Sequence, residues 1–207
     1  MGTDAVSSVE ELTMALAREA EARDPFTRGH CARVAAYSMA FGIVMQLPDA
    51  ELVTLCRGAF LHDIGKMAVP AAIVLKPSRL TDDEFDLVKA HTLIGDTLCA
   101  NRHFEAVRPI VRWHHERADG TGYPDGLMGP RIPLLAQMLG LVDAYDALTT
   151  ERPYHPARSP EAACLTLTEE AERGWRSPLL VREFTALVRT RRFGRLRRRA
   201  GEFDLQF

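Results

Sequence analysis

Histidine and aspartate residues recur along this sequence at positions that favour metal binding. Five of its seven histidines lie on the apolar side of a predicted helix or at its end: His30, His62, His91, His114 and His115. Asp63 follows His62 directly, and Asp143 faces inward ten residues past Pro133. Any one of these imidazoles alone would be an ordinary hydrogen-bonded core histidine, but the whole set is costly to bury without a shared partner. We therefore predict a metal site, because neutral imidazole and carboxylate groups together bind divalent metals.

Seven ligands are too many for one ion that also keeps a water molecule, so two ions that share a carboxylate fit better. Two metals ~3.5–4 Å apart can activate a water and hold a phosphoryl group. A ligand set without thiolate favours iron or manganese over structural zinc, and the sequence does not choose between the two. Lys66, three residues after Asp63 in HDIGK, is placed to neutralise a phosphate. Arg152 could equally grip a phosphate or be a surface charge.

Helical patterns surround these residues. Ser8 with Glu11, and Thr81 with Glu84, form capping-box signatures, so we expect helices to begin there. Ser159-Pro160 and Ser177-Pro178 each resemble an N-cap followed by proline at the first helical position, which predicts two further helix starts.

Residues 67–80, which contain Pro70 and Pro77, are expected to form a loop. Residues 116–133 contain four glycines and three prolines and are also expected to form a loop. No alternating apolar pattern is long enough for a sheet. The prediction is an all-α fold, a compact bundle of about seven or more helices.

Composition limits the classes of protein that fit. Apolar residues make up 46% and charged residues 26% of the 207 positions, as in globular proteins, so we expect one domain spanning 1–207. No apolar run approaches the ~20 residues of a membrane span. The start MGTDAVSSVEE does not resemble a secretory signal, and the four cysteines lack CxxC spacing, so we expect a cytoplasmic protein.

The formal net charge of −2 conceals an uneven distribution. Residues 1–172 carry a balance of −9, whereas residues 173–199 contain ten arginines and one glutamate, a balance of +9. We interpret 191–207 as a basic C-terminal tail outside every motif. Such an asymmetry can indicate a segment that binds nucleic acid or a membrane surface, but because this one lies outside the motifs described below we expect either a solvated end or a docking surface for an acidic partner.

The pair His62-Asp63, with its flanking histidines, resembles the HD superfamily of metal-dependent phosphohydrolases. The run from His114 to Tyr154 resembles the HD-GYP subfamily specifically. It contains HHExxDGxGYPxG, then IP, then DxxDAL, then RPY, in that order. The dipeptide alone would be a weak signal, but four ordered motifs across forty residues are specific. The resemblance covers roughly residues 8–190.

This resemblance implies a helical enzyme with two or three metal ions, usually iron, that hydrolyses cyclic di-GMP to the linear dinucleotide pGpG and in some members to GMP. The reaction implied is attack by a metal-bridging hydroxide. By motif position, the metal ligands would be His30, His62, Asp63, His91, His114, His115 and Asp143. Asp63 would bridge the two ions. The leaving oxygen needs a proton donor, and Lys66, Asp146 and a metal-bound water all stay open.

Substrate contacts are also implied by motif position. Lys66 and Arg152 would contact the phosphates, and the loop Gly122, Tyr123 and Pro124 would border the pocket. Asp146 would be either a pocket group or a group behind a ligand.

Two departures from the family pattern bear on these expectations. Members with a third metal carry a glutamate four residues before the first ligand histidine, where this chain has Phe26, so we expect two metals and pGpG as the main product. His155-Pro156 stands where the family usually has a basic residue after RPY.

Two other functions stay open at this point. One is a catalytically silent module that binds diguanylate cyclases through the GYP loop, and the other is a hydrolase of a different cyclic dinucleotide. The oligomeric state, including a homodimer, is also open.

Overall fold

Helices account for nearly all regular structure in the computed structural model, which describes residues 3–23, 28–76, 78–151 and 156–200. Eleven α-helices lie within those ranges: α1 Thr3–Ala22, α2 His30–Val44, α3 Asp49–Leu61, α4 Ala71–Val74, α5 Asp82–Lys89, α6 His91–Leu98, α7 Arg108–Trp113, α8 Leu134–Thr149, α9 Pro160–Glu172, α10 Pro178–Val188 and α11 Arg191–Ala200. Short 3₁₀ helices cover Ile64–Ala68 and Gly129–Arg131. The described ranges contain no strand, only an isolated antiparallel bridge between Asp119 and Met128. The all-α prediction is confirmed.

The main core forms where α2, α3, α8 and α10 meet. Apolar residues at helical spacing, such as Val34 and Phe41 on α2, are fully buried there. Aromatic rings interlock across the helices, with Phe41 and Phe184 at 5.1 Å and Tyr37 and Tyr145 at 5.9 Å between centroids. Such pairs contribute about 0.5–1.5 kcal/mol beyond the burial of their area. This packing fixes α2 and α8, the helices that carry His30 and Asp143.

The predicted helix starts are confirmed at three places. Thr81 accepts a hydrogen bond from the Glu84 N–H while the Glu84 carboxylate accepts one from the Thr81 N–H, which completes the capping box of α5. Ser159 and Ser177 cap α9 and α10 through their hydroxyl groups, each with proline as the first helical residue. These local signals are readable from sequence because both partners lie within one turn.

Other helix boundaries differ from the expectation. The first helix begins at Thr3, so Ser8 lies inside α1 and does not cap it. No glycine or proline occurs between Thr3 and Ala22, and the helix therefore extends past the capping sequence. The helix expected from Thr81 onward is divided at Ala90 into α5 and α6. The expected loop after residue 67 contains the short α4.

The basic C-terminal segment begins as a helix packed on the core. Phe193 of α11 is 2% exposed and lies 5.0 Å from Tyr37 between ring centroids. Its arginine neighbours Arg191, Arg192 and Arg195 face outward. Residues 191–200 are therefore a continuous part of the fold, and 201–207 lie outside the described residues.

Membrane crossing requires a long apolar helix, and among the described residues no helix meets both conditions.

Candidate metal centre and cleft

The chain brings all seven candidate ligands together from five separate segments. His30 and His91 are the first residues of α2 and α6. The pair His62-Asp63 follows the end of α3, the pair His114-His115 follows the end of α7, and Asp143 lies within α8. They form two groups whose ligand atoms lie within 4.8 Å of one another: His30, His62 and Asp143, and Asp63, His91, His114 and His115.

Close backbone contacts allow these segments to converge. A Cβ atom on Gly65 would lie 1.9 Å from the His91 carbonyl oxygen. A Cβ atom on Gly140 would lie 2.1 Å from the His114 carbonyl oxygen. Only glycine permits either approach, so the HDIGK turn packs directly on α6, and α8 packs directly on the end of α7.

The first group is built around His30. Its Nε2 lies 3.2 Å from the Nε2 of His62 and 3.3 Å from an Asp143 carboxylate oxygen. The same Asp143 oxygen lies 4.0 Å from the Nε2 of His62. Three potential ligand atoms therefore surround one point, which a divalent ion could occupy.

The second group contains Asp63, whose carboxylate also faces the first group. Asp63 Oδ1 lies 3.4 Å from the Nε2 of His91, whereas its Oδ2 lies 3.4 Å from the Nε2 of His62. The Nε2 of His91 lies 3.5 Å from that of His114, and the His114 and His115 rings are 4.0 Å apart between centroids. The two oxygens of one carboxylate thus face the two groups, as a bridging ligand requires.

Backbone carbonyls set the orientation of three imidazoles. A carbonyl oxygen only accepts hydrogen bonds, so each Nδ1 bonded to one must carry the proton and each Nε2 keeps its lone pair for a metal. These bonds run from His62 to Ala59 at 2.8 Å, from His91 to Val88 at 2.6 Å and from His114 to Val111 at 2.9 Å. The partners lie three residues upstream, so the helical backbone itself orients the ligands.

Burial keeps most of these imidazoles neutral. It lowers the pKa of His91, lowers that of His114 well below its usual value, and lowers that of His115 to about 3. His30 differs: burial lowers its pKa, but the hydrogen bonds to Asp143 and Asp146 outweigh that effect and raise the pKa to about 10. Burial also disfavours the Asp63 carboxylate, yet Lys66 and His62 hold the Asp63 pKa well below its usual range. The neutral imidazoles of His91, His114 and His115 and the ionised carboxylate of Asp63 are thus in the protonation states that metal ligands need.

The fit to a metal is tested by the buried Asp63 Oδ1 atom. This oxygen accepts no hydrogen bond from any described residue. An ionised oxygen that is buried without a partner is costly, because nothing replaces the water it has lost. A cation between Asp63 and the facing imidazoles would supply the missing partner, so the residues present fit a metal centre.

Asp146 and Arg33 form a hydrogen-bonded pair behind His30, of which the sequence indicated only Asp146. Asp146 Oδ2 accepts a hydrogen bond from His30 Nδ1 at 2.8 Å, and Asp146 also accepts two from Arg33, from Nε at 2.7 Å and from Nη2 at 3.0 Å. Asp146 is 1% exposed, so it is placed to orient His30 rather than to contact a substrate. Arg33 was not predicted, although its place one turn after His30 on α2 was a usable signal.

The GYP loop borders a cleft of about 420 Å³ over the centre. His114, His115 and Asp143 reach the cleft from below, and Gly122 and Tyr123 line its side. The Tyr123 ring stacks on His115 at 4.8 Å between centroids. Pro124 follows Tyr123 through a cis peptide bond. The cleft has the size of a small-molecule site.

Lys66 lies on another side of the centre. Its ammonium donates to Asp63 Oδ2 at 2.6 Å, and it lines a separate small cavity together with His30, Asp63 and Cys31. The predicted contact Arg152 lies outside the described residues, as do Phe26 and His155.

Comparison with known proteins agrees with this architecture. The model of the HD domain family matches residues 14–178. A cyclic di-GMP phosphodiesterase response regulator, RpfG of Xanthomonas campestris, is 40% identical over 77% of this chain and 42% of its own length. A 3′3′-cGAMP-specific phosphodiesterase of Vibrio cholerae, number 3, is 36% identical over 78% of this chain and 35% of its own length. Bd1817, a solved HDG"Y"P protein of Bdellovibrio bacteriovorus, superimposes with a TM-score of 0.64 at 22% identity, covering 78% of this chain and 52% of that one.

The chain spans less than half of the length of these two curated relatives. The family match, in contrast, covers most of the chain and includes every residue of the two His/Asp groups. The resemblance drawn from the HD and GYP motifs is confirmed: the chain belongs to the HD domain family.

Proposed function

We propose that this chain is a metal-dependent phosphodiesterase that hydrolyses cyclic di-GMP to the linear dinucleotide pGpG. The observation that carries the proposal is the meeting of two His/Asp groups at one carboxylate, Asp63, beneath an open cleft. The curated relatives named above support the substrate class. The proposal takes residues 1–207 as one catalytic domain in the cytoplasm.

The seven clustered side chains are proposed to hold two divalent ions, iron or manganese. When bound, such a pair supplies an activated water and offsets negative charge on the phosphoryl group. Asp63 is proposed as the bridge because its two oxygens face different groups. The thiol-free donor set supports these metals over a structural zinc site.

The chain's own residues do the positioning. Backbone carbonyls hold three imidazoles with their lone pairs inward, and Asp146 with Arg33 holds His30. Lys66 keeps Asp63 ionised and brings an ammonium next to the centre, where we propose that it contacts a phosphate oxygen. Gly122 and Tyr123 border the substrate, and Arg152 is proposed as a second phosphate contact.

Product analysis tests the proposal. The chain, purified without oxygen and loaded with Fe²⁺ or Mn²⁺, should convert cyclic di-GMP to pGpG, with metal content measured on the same sample. A fully loaded protein that forms no pGpG would contradict the proposal.

Two alternatives remain testable in the same assay. The similarity to a cGAMP-specific enzyme favours a parallel test with 3′3′-cGAMP, and a clear preference for it would reassign the substrate. A silent module that binds a diguanylate cyclase predicts full metal content without turnover. It also predicts that Tyr123→Ala, which changes the exposed loop, abolishes capture of the cyclase.

A further inference from the structure

A cation that stacks on an aromatic ring also lines the cleft that Tyr123 borders. The guanidinium of Arg117 lies 3.9 Å from the centroid of the Trp175 ring, over its face. Arg117 itself lines the cleft, two residues after His115. A cation over an indole face is attracted by the ring quadrupole, which favours this position of the guanidinium.

The donors of Arg117 have no acceptor among the described residues. No hydrogen bond or ion pair joins this guanidinium to the described part of the chain. The other two cations at the cleft are engaged: Arg176 pairs with Glu170, and Lys89 donates to Asp86 at 2.7 Å. Of these three cleft cations, Arg117 is therefore the one whose guanidinium has no hydrogen bond or ion pair to any described residue.

The backbone holds the pair in place. The Ala118 N–H, next to Arg117, donates to the Trp175 carbonyl oxygen at 2.9 Å. The Ala118 carbonyl in turn accepts from the Gly129 N–H at 2.9 Å, which ties the segment to the far side of the GYP loop. A guanidinium held in this way loses little freedom when it binds, so its hydrogen bonds translate more fully into affinity.

We propose that Arg117, placed over the face of Trp175, binds the O6/N7 edge of a guanine base and selects guanine over adenine; this inference rests on the proposed function. The forked donors of arginine match the two adjacent acceptors of guanine. Adenine presents N7 as an acceptor but a donor at N6, which would face a second donor of Arg117. A phosphate would also accept from arginine, but phosphate charge is already met by the proposed metal centre and by Lys66.

The test is a charge-conserving change. Arg117→Lys keeps the positive charge but loses the planar fork, so kcat/KM for cyclic di-GMP should fall by about 5- to 150-fold. The value for bis(p-nitrophenyl) phosphate, which has no base, should stay within twofold of the parent. The value for cyclic di-AMP should not fall, because the unfavourable contact between the donors of Arg117 and adenine N6 is removed. The dissociation constant for pGpG, measured by calorimetry, should rise by the factor by which kcat/KM for cyclic di-GMP falls.

Arg173→Lys is the matched control. Arg173 also faces Trp175, at 5.5 Å, but it is 59% exposed, pairs with Glu169 and does not line the cleft, so its exchange should leave all four values unchanged.

Three results would overturn the inference. The first is an unchanged kcat/KM for cyclic di-GMP in Arg117→Lys. The second is an equal loss of kcat/KM on both cyclic dinucleotides, which indicates a phosphate contact. The third is an equal loss that includes the base-free diester, which indicates a structural role. A parent protein that cleaves the base-free diester but no cyclic dinucleotide would instead refute the proposed function.

Discussion

The contact between Asp146 and His30 allows a sharp test of how the metal centre is built. Asp146 uses both carboxylate oxygens as acceptors, one toward His30 and Arg33 together and one toward Arg33 alone. The change Asp146→Asn keeps the size of the side chain but replaces one acceptor with an NH₂ donor. If that donor faces Arg33 Nε, two donors meet. If it faces His30, Nδ1 must become the acceptor, the proton moves to Nε2, and His30 loses the lone pair that a metal needs.

The expected loss of metal affinity in Asp146→Asn follows from these two outcomes. Partners behind a ligating histidine typically contribute 10- to 100-fold to metal affinity, which corresponds to roughly 1.4–2.8 kcal/mol. The upper end applies here, because Asp146 is 1% exposed and no water can replace the missing acceptor. We therefore expect Asp146→Asn to weaken metal binding at the group of His30 by about 100-fold, with the second group affected less.

The assay is metal titration of the chelator-treated protein with Mn²⁺, together with metal content after gel filtration. Asp86→Asn is the matched control, since it makes the same chemical change at a carboxylate that is 69% exposed and pairs with Lys89. The control should bind Mn²⁺ like the parent. Parental affinity in Asp146→Asn, with parental unfolding behaviour, would refute the argument that Asp146 orients His30.

Three further predictions test the bridge, a backbone approach and the last helix. Asp63→Ala should remove metal from both groups, and a retained stoichiometry by elemental analysis would contradict the bridging role. Gly65→Ala should lower the free energy of unfolding in urea by about 1–3 kcal/mol, because its Cβ would lie 1.9 Å from the His91 oxygen; an unchanged midpoint would show that the turn and α6 separate freely. Phe193→Ala should cost about 3–5 kcal/mol of stability yet leave metal content unchanged, and loss of metal from folded protein would show that α11 supports the centre.

Local patterns were readable from the sequence where cause and effect lie close together. The capping box at Thr81 involves two residues three positions apart, and the structure has it as predicted. The capping pattern at Ser8 failed because α1 continues upstream without a breaking residue. A capping sequence shows that a helix can start at a residue, whereas the chain before it decides whether one does.

The residues of the candidate site likewise differ in whether their roles depend on local sequence or on contacts between distant segments. The candidate ligands that the structure brings together could be picked out because an inward imidazole is unusual and because the motifs are contiguous. The position of Arg33 one turn after His30 suggested proximity to the site but not its role, since its partner Asp146 lies 113 residues away and only the packing of α2 against α8 brings them together. The pairing of Arg117 with Trp175 depends likewise on how the α9–α10 connection folds back onto the loop.

Glu116 links the candidate ligands His114 and His115 to the GYP loop, which follows them directly in the sequence. Glu116 is 8% exposed, and its two carboxylate oxygens accept from the N–H groups of Asp125 at 2.8 Å and Leu127 at 3.0 Å. Its neighbour His115 accepts a backbone bond from Tyr123 at 3.3 Å and stacks on the Tyr123 ring. The residue next to a candidate ligand thus closes the loop that borders the cleft. A metal that orders His115 would therefore also order the loop. A substrate that holds the loop would in turn favour the ligating position of His115. We therefore expect metal and substrate to bind cooperatively.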